Sequence, residues 1–238
     1  MRYLITFFLC LIHVQCFGWG SNAPSLFISN IPSEPVVCGD STLTFSDSFN
    51  VDLSGFTQDS GTWLIGSGSA YQSTVSGTSR LLRSNTTIPA SCQWGATQEI
   101  VYFDDSDAIG LVLRASGATG LRYVVKLKYS GAAPAAIVSW DVYNGTAYVE
   151  TVQSDALSIP ADDTDDVSIM AQVSGTGDAS VMKIWVYWTG SGPSTAGEPT
   201  YTFTDNPLNP VDSGDYIGLF SLSPSGLPSR FSYLTGGN

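Results

Sequence analysis

Two runs of aspartate are the densest groups of potential metal ligands in the sequence. Each run precedes a predicted strand, and Ca²⁺ prefers about six to eight oxygen ligands, which carboxylates on loops can supply. Neither run has the ligand spacing of an EF-hand loop, and acidic loops also keep secreted domains soluble. Calcium at either loop and a solvated, ligand-free loop are therefore both open; we expect calcium to bind weakly or not at all, and no other cofactor. The candidate calcium ligands are Asp104, Asp105, Asp107, Asp162, Asp163 and Asp165.

A second group combines aromatic rings with charged side chains. Alternation along the run Val181 to Trp188 places Trp185 and Tyr187 on the face opposite the apolar stripe of that strand. Aromatic rings can stack under the apolar C–H face of a sugar, and charged groups can bond its hydroxyls, so such a set would suit a glycan. The alternative is a solvated sheet face whose aromatic rings cover lysine stems. The candidate ligand-binding residues, which we expect on one exposed sheet face, are Trp185, Tyr187, Arg122, Lys126, Asp141 and Tyr143.

The N-terminus has the pattern of a secretory signal peptide. A basic start at Arg2, an apolar run from Tyr3 to Val14 and small residues after it predict a leader at residues 1–20, cleaved after Gly18 or Gly20. An uncleaved anchor or a buried N-terminal strand is the alternative, although the run is shorter than the roughly 20 residues that span a bilayer. We therefore expect a secreted or surface-exposed extracellular protein with no membrane span after leader removal.

Leader removal also takes away His13, the single histidine of the chain. The mature chain would then have no histidine, which excludes Ser-His-Asp and Cys-His catalysis and zinc sites built on imidazole. Of the 4 cysteines, Cys10 and Cys16 would leave with the leader, and Cys38 and Cys92 would remain. In an oxidising compartment we predict that these two form a disulfide that stabilises the fold by about 4 kcal/mol, the alternative being two unrelated buried thiols.

Composition and charge limit the function classes further. The chain has 238 residues, 43% of them hydrophobic and 12% aromatic, which is enough for a packed core and unlike a disordered chain. The formal net charge is −12 at pH 7, and such a surface repels phosphate backbones, so we expect no nucleic-acid partner. The length is within the range of one all-β domain. We expect an irregular, proline-containing arm at residues 21–42 and a single domain at 43–238.

From Leu43 onward the sequence consists of short apolar runs separated by Gly, Ser, Asp and Pro clusters, which is typical of β-strands and turns. About fourteen strands are predicted, among them Leu121 to Tyr129, Val181 to Trp188 and Tyr216 to Leu222. Asn144-Gly145, between two alternating runs, predicts a hairpin with a type I′ turn. So many short strands predict an all-β protein with two packed antiparallel sheets.

Three parts of this strand pattern, taken together, resemble a known family. They are Thr44–Phe49 with Gly61-Thr62-Trp63 and Ala70-Tyr71, then Ile109–Gly117 with Tyr123–Val125, and finally Tyr216–Ser221 with Phe231. In this order they resemble strands of the concanavalin A-like lectin and glucanase superfamily, close to its laminin G-like branch. The resemblance covers about residues 43 to 238 and implies a two-sheet antiparallel jelly-roll sandwich. It does not imply one function, because the superfamily includes lectins, glycosidases, adhesion modules and structural domains.

The glycosidases of that superfamily carry a strand motif of the form Glu-x-Asp-x-Glu, which aligns the acid and the nucleophile on one face. This sequence has four glutamates, and no two of them lie near each other. Glu99-Ile100-Val101-Tyr102-Phe103 begins like the motif but has apolar or aromatic residues where carboxylates are required. We therefore predict that the chain is not an enzyme.

Three functions from different classes are considered, in order of preference. The first is a secreted or surface-exposed, non-catalytic carbohydrate-binding or adhesion module that recognises a glycan or a glycosylated surface. The second is a structural subunit of an extracellular or virion assembly, whose arm and tryptophan-bearing face contact other proteins or further copies of the chain. A glycoside hydrolase with an unrecognised site is the third. The oligomeric state separates the first two, since a monomer favours binding and a discrete oligomer favours assembly.

Overall fold

The computed structural model describes residues 43–73, 78–83, 85–99, 108–117, 119–129, 135–158, 166–188, 199–222 and 229–238. These residues form fifteen strands and a short 3₁₀ turn at Gly177–Ala179. The strands are β1 (Leu43–Asp47), β2 (Phe56–Ser60), β3 (Trp63–Gly66), β4 (Ser69–Gln72), β5 (Thr78–Arg83), β6 (Cys92–Glu99), β7 (Ala108–Ala115), β8 (Leu121–Tyr129), β9 (Ala135–Asn144), β10 (Ala147–Ser158), β11 (Val167–Ser174), β12 (Val181–Trp188), β13 (Tyr201–Phe203), β14 (Tyr216–Leu222) and β15 (Arg230–Gly237). The predicted bounds of β8, β12 and β14 are confirmed.

These strands form two antiparallel sheets. One sheet has eight strands, in the order β13-β12-β11-β6-β15-β4-β3 with β1 paired to β15. The other has seven strands, in the order β10-β9-β8-β7-β14-β5-β2. Paired strands such as β6 and β15, or β7 and β14, are distant in sequence, so the chain crosses repeatedly from one sheet to the other. The prediction of an all-β, two-sheet antiparallel sandwich is confirmed.

The main core lies between the sheets and is built by alternation along the strands. Tyr123 and Val125 of β8 face it from one sheet, and Ile184 and Val186 of β12 face it from the other. All four are at most 4% exposed. Burying a side chain of this size contributes about 1.5–3 kcal/mol, so the apolar pattern fixes which face of each strand is turned inward. The polar and aromatic residues between them are turned to the outer faces of the sandwich.

The predicted hairpin at Asn144-Gly145 is present, but its turn is not type I′. Asn144 pairs with Ala147, which leaves Gly145 and Thr146 as the two central residues. Gly145 has a φ of 55°, whereas Thr146 is not among the described residues with positive φ. A type I′ turn needs positive φ at both central positions, and a type II′ turn has glycine at the first, so the type I′ prediction is wrong. The Gly145 N–H donates to Gly120 O at 3.0 Å, which ties the turn to the loop before β8.

The N-terminal features predicted from the sequence lie outside the described residues. These are the leader at 1–20 and the arm at 21–42, and both stay predictions. In the part of the chain that the structure describes, no helix has the length and apolar character of a membrane crossing.

Candidate functional site

The structure divides the six predicted ligand-binding residues between two sheets. Arg122 and Lys126 lie on β8, and Asp141 and Tyr143 lie on β9, so these four belong to the seven-stranded sheet. The other two lie on β12 of the eight-stranded sheet, on the opposite side of the sandwich. The prediction of one shared face is wrong, because alternation shows which way a side chain points from its strand but not which sheet the strand joins.

The two residues of β12, Trp185 and Tyr187, are buried rather than exposed. They are 0% and 8% exposed and pack in a cluster on the outer face of the eight-stranded sheet, opposite the main core. The prediction that Trp185 and Tyr187 lie on the side of β12 away from the main core is therefore right, but the prediction that they are exposed is wrong. Burial raises the pKa of Tyr187 to about 12. We call this group the outer aromatic cluster, and its members are Trp94, Ala96, Met170, Trp185, Tyr187 and Tyr233.

On the seven-stranded sheet, Arg122 belongs to a buried ion cluster. The Asp59 oxygen Oδ2 lies 2.7 Å from Arg80 Nε and 2.5 Å from Arg122 Nη1, and all three side chains are 0% exposed. Arg122 Nη2 also donates to Gly117 O at 2.9 Å, and Arg80 Nη1 donates to the Gly145 carbonyl of the β9–β10 turn. The prediction of Arg122 as an exposed ligand-binding group is wrong, since its guanidinium is taken up by these partners. We call Asp59, Arg80 and Arg122 the arginine bridge.

The arginine bridge shows that this outer face is concave. Asp59 lies on β2 and Arg122 on β8, four positions apart in the strand order. In a flat sheet these strands would lie about 19 Å apart, at about 4.8 Å per strand. An aspartate and an arginine can meet across that span only if the sheet curves toward them. The three side chains of the bridge therefore lie across the middle of a concave face.

On the same face, Lys126 is held between two tyrosines. Its Nζ is bonded to Asp141 Oδ2, and Thr151 Oγ1 donates to Asp141 Oδ1 at 2.8 Å. The ammonium lies 5.7 Å from the ring centre of Tyr143 and 5.8 Å from that of Tyr148. Asp141 is 0% exposed and Tyr143 4%, so the predicted exposure of these two is wrong. We call Lys126, Asp141, Tyr143, Tyr148 and Thr151 the tyrosine–lysine site.

Tyr148 gives this site an opening to solvent. It is 56% exposed, and its ring stands edge-on to Tyr143 with the ring centroids 5.8 Å apart. Burial lowers the pKa of Lys126, but the Asp141 carboxylate more than offsets this and holds the pKa above its usual value. Lys126 is therefore a cation throughout the physiological pH range. The site offers an exposed aromatic ring beside a fixed charged donor, whose counter-charge is the buried Asp141 carboxylate.

Sequence reasoning did not identify Asp59, Arg80, Tyr148 or Thr151. Arg80 directly precedes the two leucines of β5, and a buried arginine needs a counter-charge, which was the available signal. Tyr148 and Thr151 are three residues apart, so plain alternation would put them on opposite faces. The register of β10 shifts between Tyr148 and Glu150, and this bulge brings both residues to the same face.

The predicted calcium ligands and one predicted disulfide cysteine lie outside the described residues. Both aspartate runs fall in undescribed ranges, 100–107 and 159–165. Within the ranges that are described, no group of three or more His, Cys, Asp or Glu residues is placed to hold a metal ion. Cys92, at the start of β6, is disulfide-bonded, whereas Cys38 is outside the described ranges. The calcium sites and the Cys38–Cys92 pairing stay predictions.

Known structures resemble the chain, although no protein-family model and no curated protein matches it. Peanut lectin with a 9mer peptide has a TM-score of 0.53 at 12% identity, over 83% of this chain and 97% of the lectin. SCLam, a non-specific endo-β-1,3(4)-glucanase from family GH16, has a TM-score of 0.53 at 12% identity, over 84% and 92%. The carbohydrate-binding module CBM66 from Bacillus subtilis has a TM-score of 0.51 at 13% identity, over 77% and 96%. The fold is the concanavalin A-like jelly roll.

This jelly roll confirms the fold that the sequence resemblance implied. At such low identities the likeness establishes the fold alone, and nearness to the laminin G-like branch stays a prediction. The neighbours include a lectin, a carbohydrate-binding module and a glucanase, so the jelly roll by itself leaves both binding and catalysis open. The decision between them depends on the residues of the concave face.

Proposed function

We propose that this jelly roll is a secreted, non-catalytic carbohydrate-binding module and that the tyrosine–lysine site contacts the glycan. The observation that carries the proposal is Tyr148, which is 56% exposed beside the Lys126–Asp141 ion pair. A pyranose ring needs an aromatic surface for its C–H face and oriented polar groups for its hydroxyls. Tyr148 supplies the first, and the Lys126 ammonium supplies N–H donors for the second.

The state of two described carboxylates on the concave face, Asp59 and Asp141, supports a role without catalysis. Glycosidases need two carboxyl groups across the scissile bond, one acting as an acid and the other as a nucleophile or base. Asp59 is shared by two arginines, and Asp141 is bonded to Lys126. Both carboxylates are 0% exposed, so each is engaged with a cation instead of facing a substrate.

The test is Tyr148→Ala, with a glycan array to find the ligand and calorimetry to measure its affinity. We expect a loss of affinity of about tenfold or more, because aromatic anchors dominate contacts of this kind. The melting temperature should stay within a few degrees, since an exposed ring contributes little to stability. The control is Leu64→Ala, at a residue 44% exposed on β3 of the other sheet, which should leave the affinity unchanged.

Three results would contradict the proposal, each at a different point. Unchanged affinity in Tyr148→Ala would show that the glycan binds elsewhere. An array on which the wild-type chain binds no glycan would contradict the proposed carbohydrate-binding function. Release of reducing ends from a bound glycan would show that the chain is a glycoside hydrolase.

A further inference from the structure

The outer aromatic cluster is buried although it lies on an outer sheet face. Trp185 is 0% exposed, Met170 1%, Trp94 6% and Tyr233 7%. All members come from β6, β11, β12 and β15, and no other described hydrophobic residue packs on them. An outer face of an antiparallel sheet normally faces water. No described hydrophobic residue outside the cluster therefore accounts for its burial.

Three polar atoms in the cluster indicate the chemistry of that cover. Trp94 Nε1, Trp185 Nε1 and the Tyr187 hydroxyl are buried without a hydrogen-bond partner among the described residues. A buried donor left unpaired costs about 1–3 kcal/mol. A cover with free acceptors, such as the carbonyl groups of an extended backbone, would remove this cost.

Cys92 attaches a particular part of the chain to the same face. β6 pairs with β11 without a register shift, so alternation places Cys92 on one face with Trp94 and Ala96. Cys92 is disulfide-bonded, and the remaining three of the 4 cysteines all precede Leu43 in the sequence. A segment before β1 is therefore covalently tied to this face, two residues from Trp94.

The strand register shows that Cys38 is within reach. Leu43 pairs with Gly237, and Gly237 pairs with Trp94, so β1 lies two strands from β6. Two strand spacings sideways and two residues along β6 put Leu43 about 12 Å from Cys92. The five residues from Cys38 to Leu43 span up to about 17 Å, which is sufficient for a disulfide. The chain before Cys38 then starts at the edge of the cluster.

The composition of residues 21–37 suits an apolar face. The segment contains six large apolar side chains, and Glu34 is its one charged residue. Its three prolines disfavour a helix, and each leaves a carbonyl acceptor without a matching N–H. The apolar residues are Leu26, Phe27, Ile28, Ile31, Val36 and Val37.

We propose that residues 21–37 of the same molecule pack over the outer aromatic cluster and that the disulfide of Cys92 anchors them. This face is then an internal docking surface, not a site for glycan or for a neighbouring subunit. The proposal is independent of the proposed function, because the tyrosine–lysine site lies on the other sheet.

A photo-crosslinker placed at Phe27 in the full secreted chain tests the contact directly. Benzophenone groups insert readily into methionine side chains, so we expect crosslinked peptides that contain Met170 or Trp185, within a protein that runs as a monomer on a denaturing gel. Crosslinked dimers would overturn the proposal in favour of the arm of a second copy. Products only on peptides outside β6, β11, β12 and β15 would overturn it as well.

A pair of arm variants gives a second readout. Phe27→Asp should increase hydroxyl-radical oxidation of Trp185 and Met170 several-fold, because a charge would free the arm from an apolar face. Ser29→Asp adds the same charge at a polar residue and should leave the oxidation of Trp185 and Met170 at the wild-type level. If Trp185 stays protected in a folded Phe27→Asp chain, the arm is not the cover. Glycan affinity measured on the same variants should not change, which keeps this test separate from that of Tyr148.

Discussion

Asp59 balances only part of the charge around it. Two guanidiniums share one carboxylate, so two positive groups and one negative group give the arginine bridge a formal charge of +1. The positive charge of the arginine bridge is opposite in sign to the net charge of the whole chain, which is −12. Burial lowers the pKa of Arg80 in spite of Asp59, and the neighbouring Arg122 adds to this effect. The single carboxylate is thus the group on which the buried cluster depends.

Asp59→Asn should destabilise the fold by about 3–5 kcal/mol, because it leaves two buried guanidiniums without their counter-charge. Urea unfolding followed by tryptophan fluorescence measures the loss. Asp205→Asn, at an exposed residue, is the matched control and should change stability by less than about 0.5 kcal/mol. A loss below about 1 kcal/mol at Asp59 would mean that the bridge is solvated.

Tyr233 makes stability depend on pH in the alkaline range. Burial raises its pKa to about 12, against a hydrogen bond with Ser168 that lowers it. An unfolded chain loses the same proton near pH 10, so the stabilisation is complete below about pH 10 and is lost as the pH rises toward 12. Between pH 9 and pH 11 the wild type should lose about 1 kcal/mol more than Tyr233→Phe.

Urea unfolding at the two pH values measures this difference, with Tyr148→Phe as the control at an exposed tyrosine. The control should lose as much stability as the wild type. Equal losses in Tyr233→Phe and the wild type would show that the Tyr233 ring is not buried.

The residues of β12 show what alternation can and cannot predict. It placed Trp185 and Tyr187 correctly on the side away from Ile184 and Val186. It did not predict that they are buried, because the burial of an outer face depends on what packs over it. The residues that pack over an outer sheet face can come from any part of the sequence, so no local pattern predicts that burial.

At the scale of elements, strands with a strong apolar period were predicted with the right bounds, whereas β2, which lacks one, was not predicted. β8, β12 and β14 have such a period, and their predicted bounds match the structure. β2 has the sequence FTQDS, with one large apolar residue and a register shift between Gln58 and Ser60. It is a strand because it pairs with β5, so its existence depends on a non-local contact. Asp59 lies in this strand, which is why the arginine bridge could not be predicted.

The β9–β10 pair shows the same limit for the candidate site. The hairpin itself followed from alternation and from a glycine at the turn. The two register shifts of the hairpin could not be predicted in this way, because a bulge is fixed by the partner strand and not by composition. The site that results combines two predicted residues of β9, Asp141 and Tyr143, with two unpredicted residues of β10.

At the scale of the molecule, the outer faces of both sheets are largely occupied. The arginine bridge closes the middle of one, and the outer aromatic cluster on the other is buried. The large hydrophobic residues exposed in the described ranges are distributed over β1, β3, β9, β10 and two loops. Such a distribution offers little contiguous apolar area for a permanent interface.

We therefore expect the chain to be a monomer, and size-exclusion chromatography with light scattering measures its mass. The expected mass is close to that of one chain, 25.2 kDa before any leader is removed. A discrete oligomer or a filament would favour the structural subunit of an extracellular or virion assembly over the binding module.

The β9–β10 turn has a consequence for the choice of expression host. Asn144-Gly145-Thr146 is an acceptor pattern for N-linked glycosylation, and Asn144 is exposed at this turn. Arg80 holds the Gly145 carbonyl, so a sugar chain on Asn144 would be attached at a fixed point, one residue from Tyr143. A host that modifies the asparagine would place a covalent sugar on the turn directly before Tyr148, the ring proposed to bind a free glycan. Protein from such a host and protein from bacteria would then present two different surfaces to the same glycan.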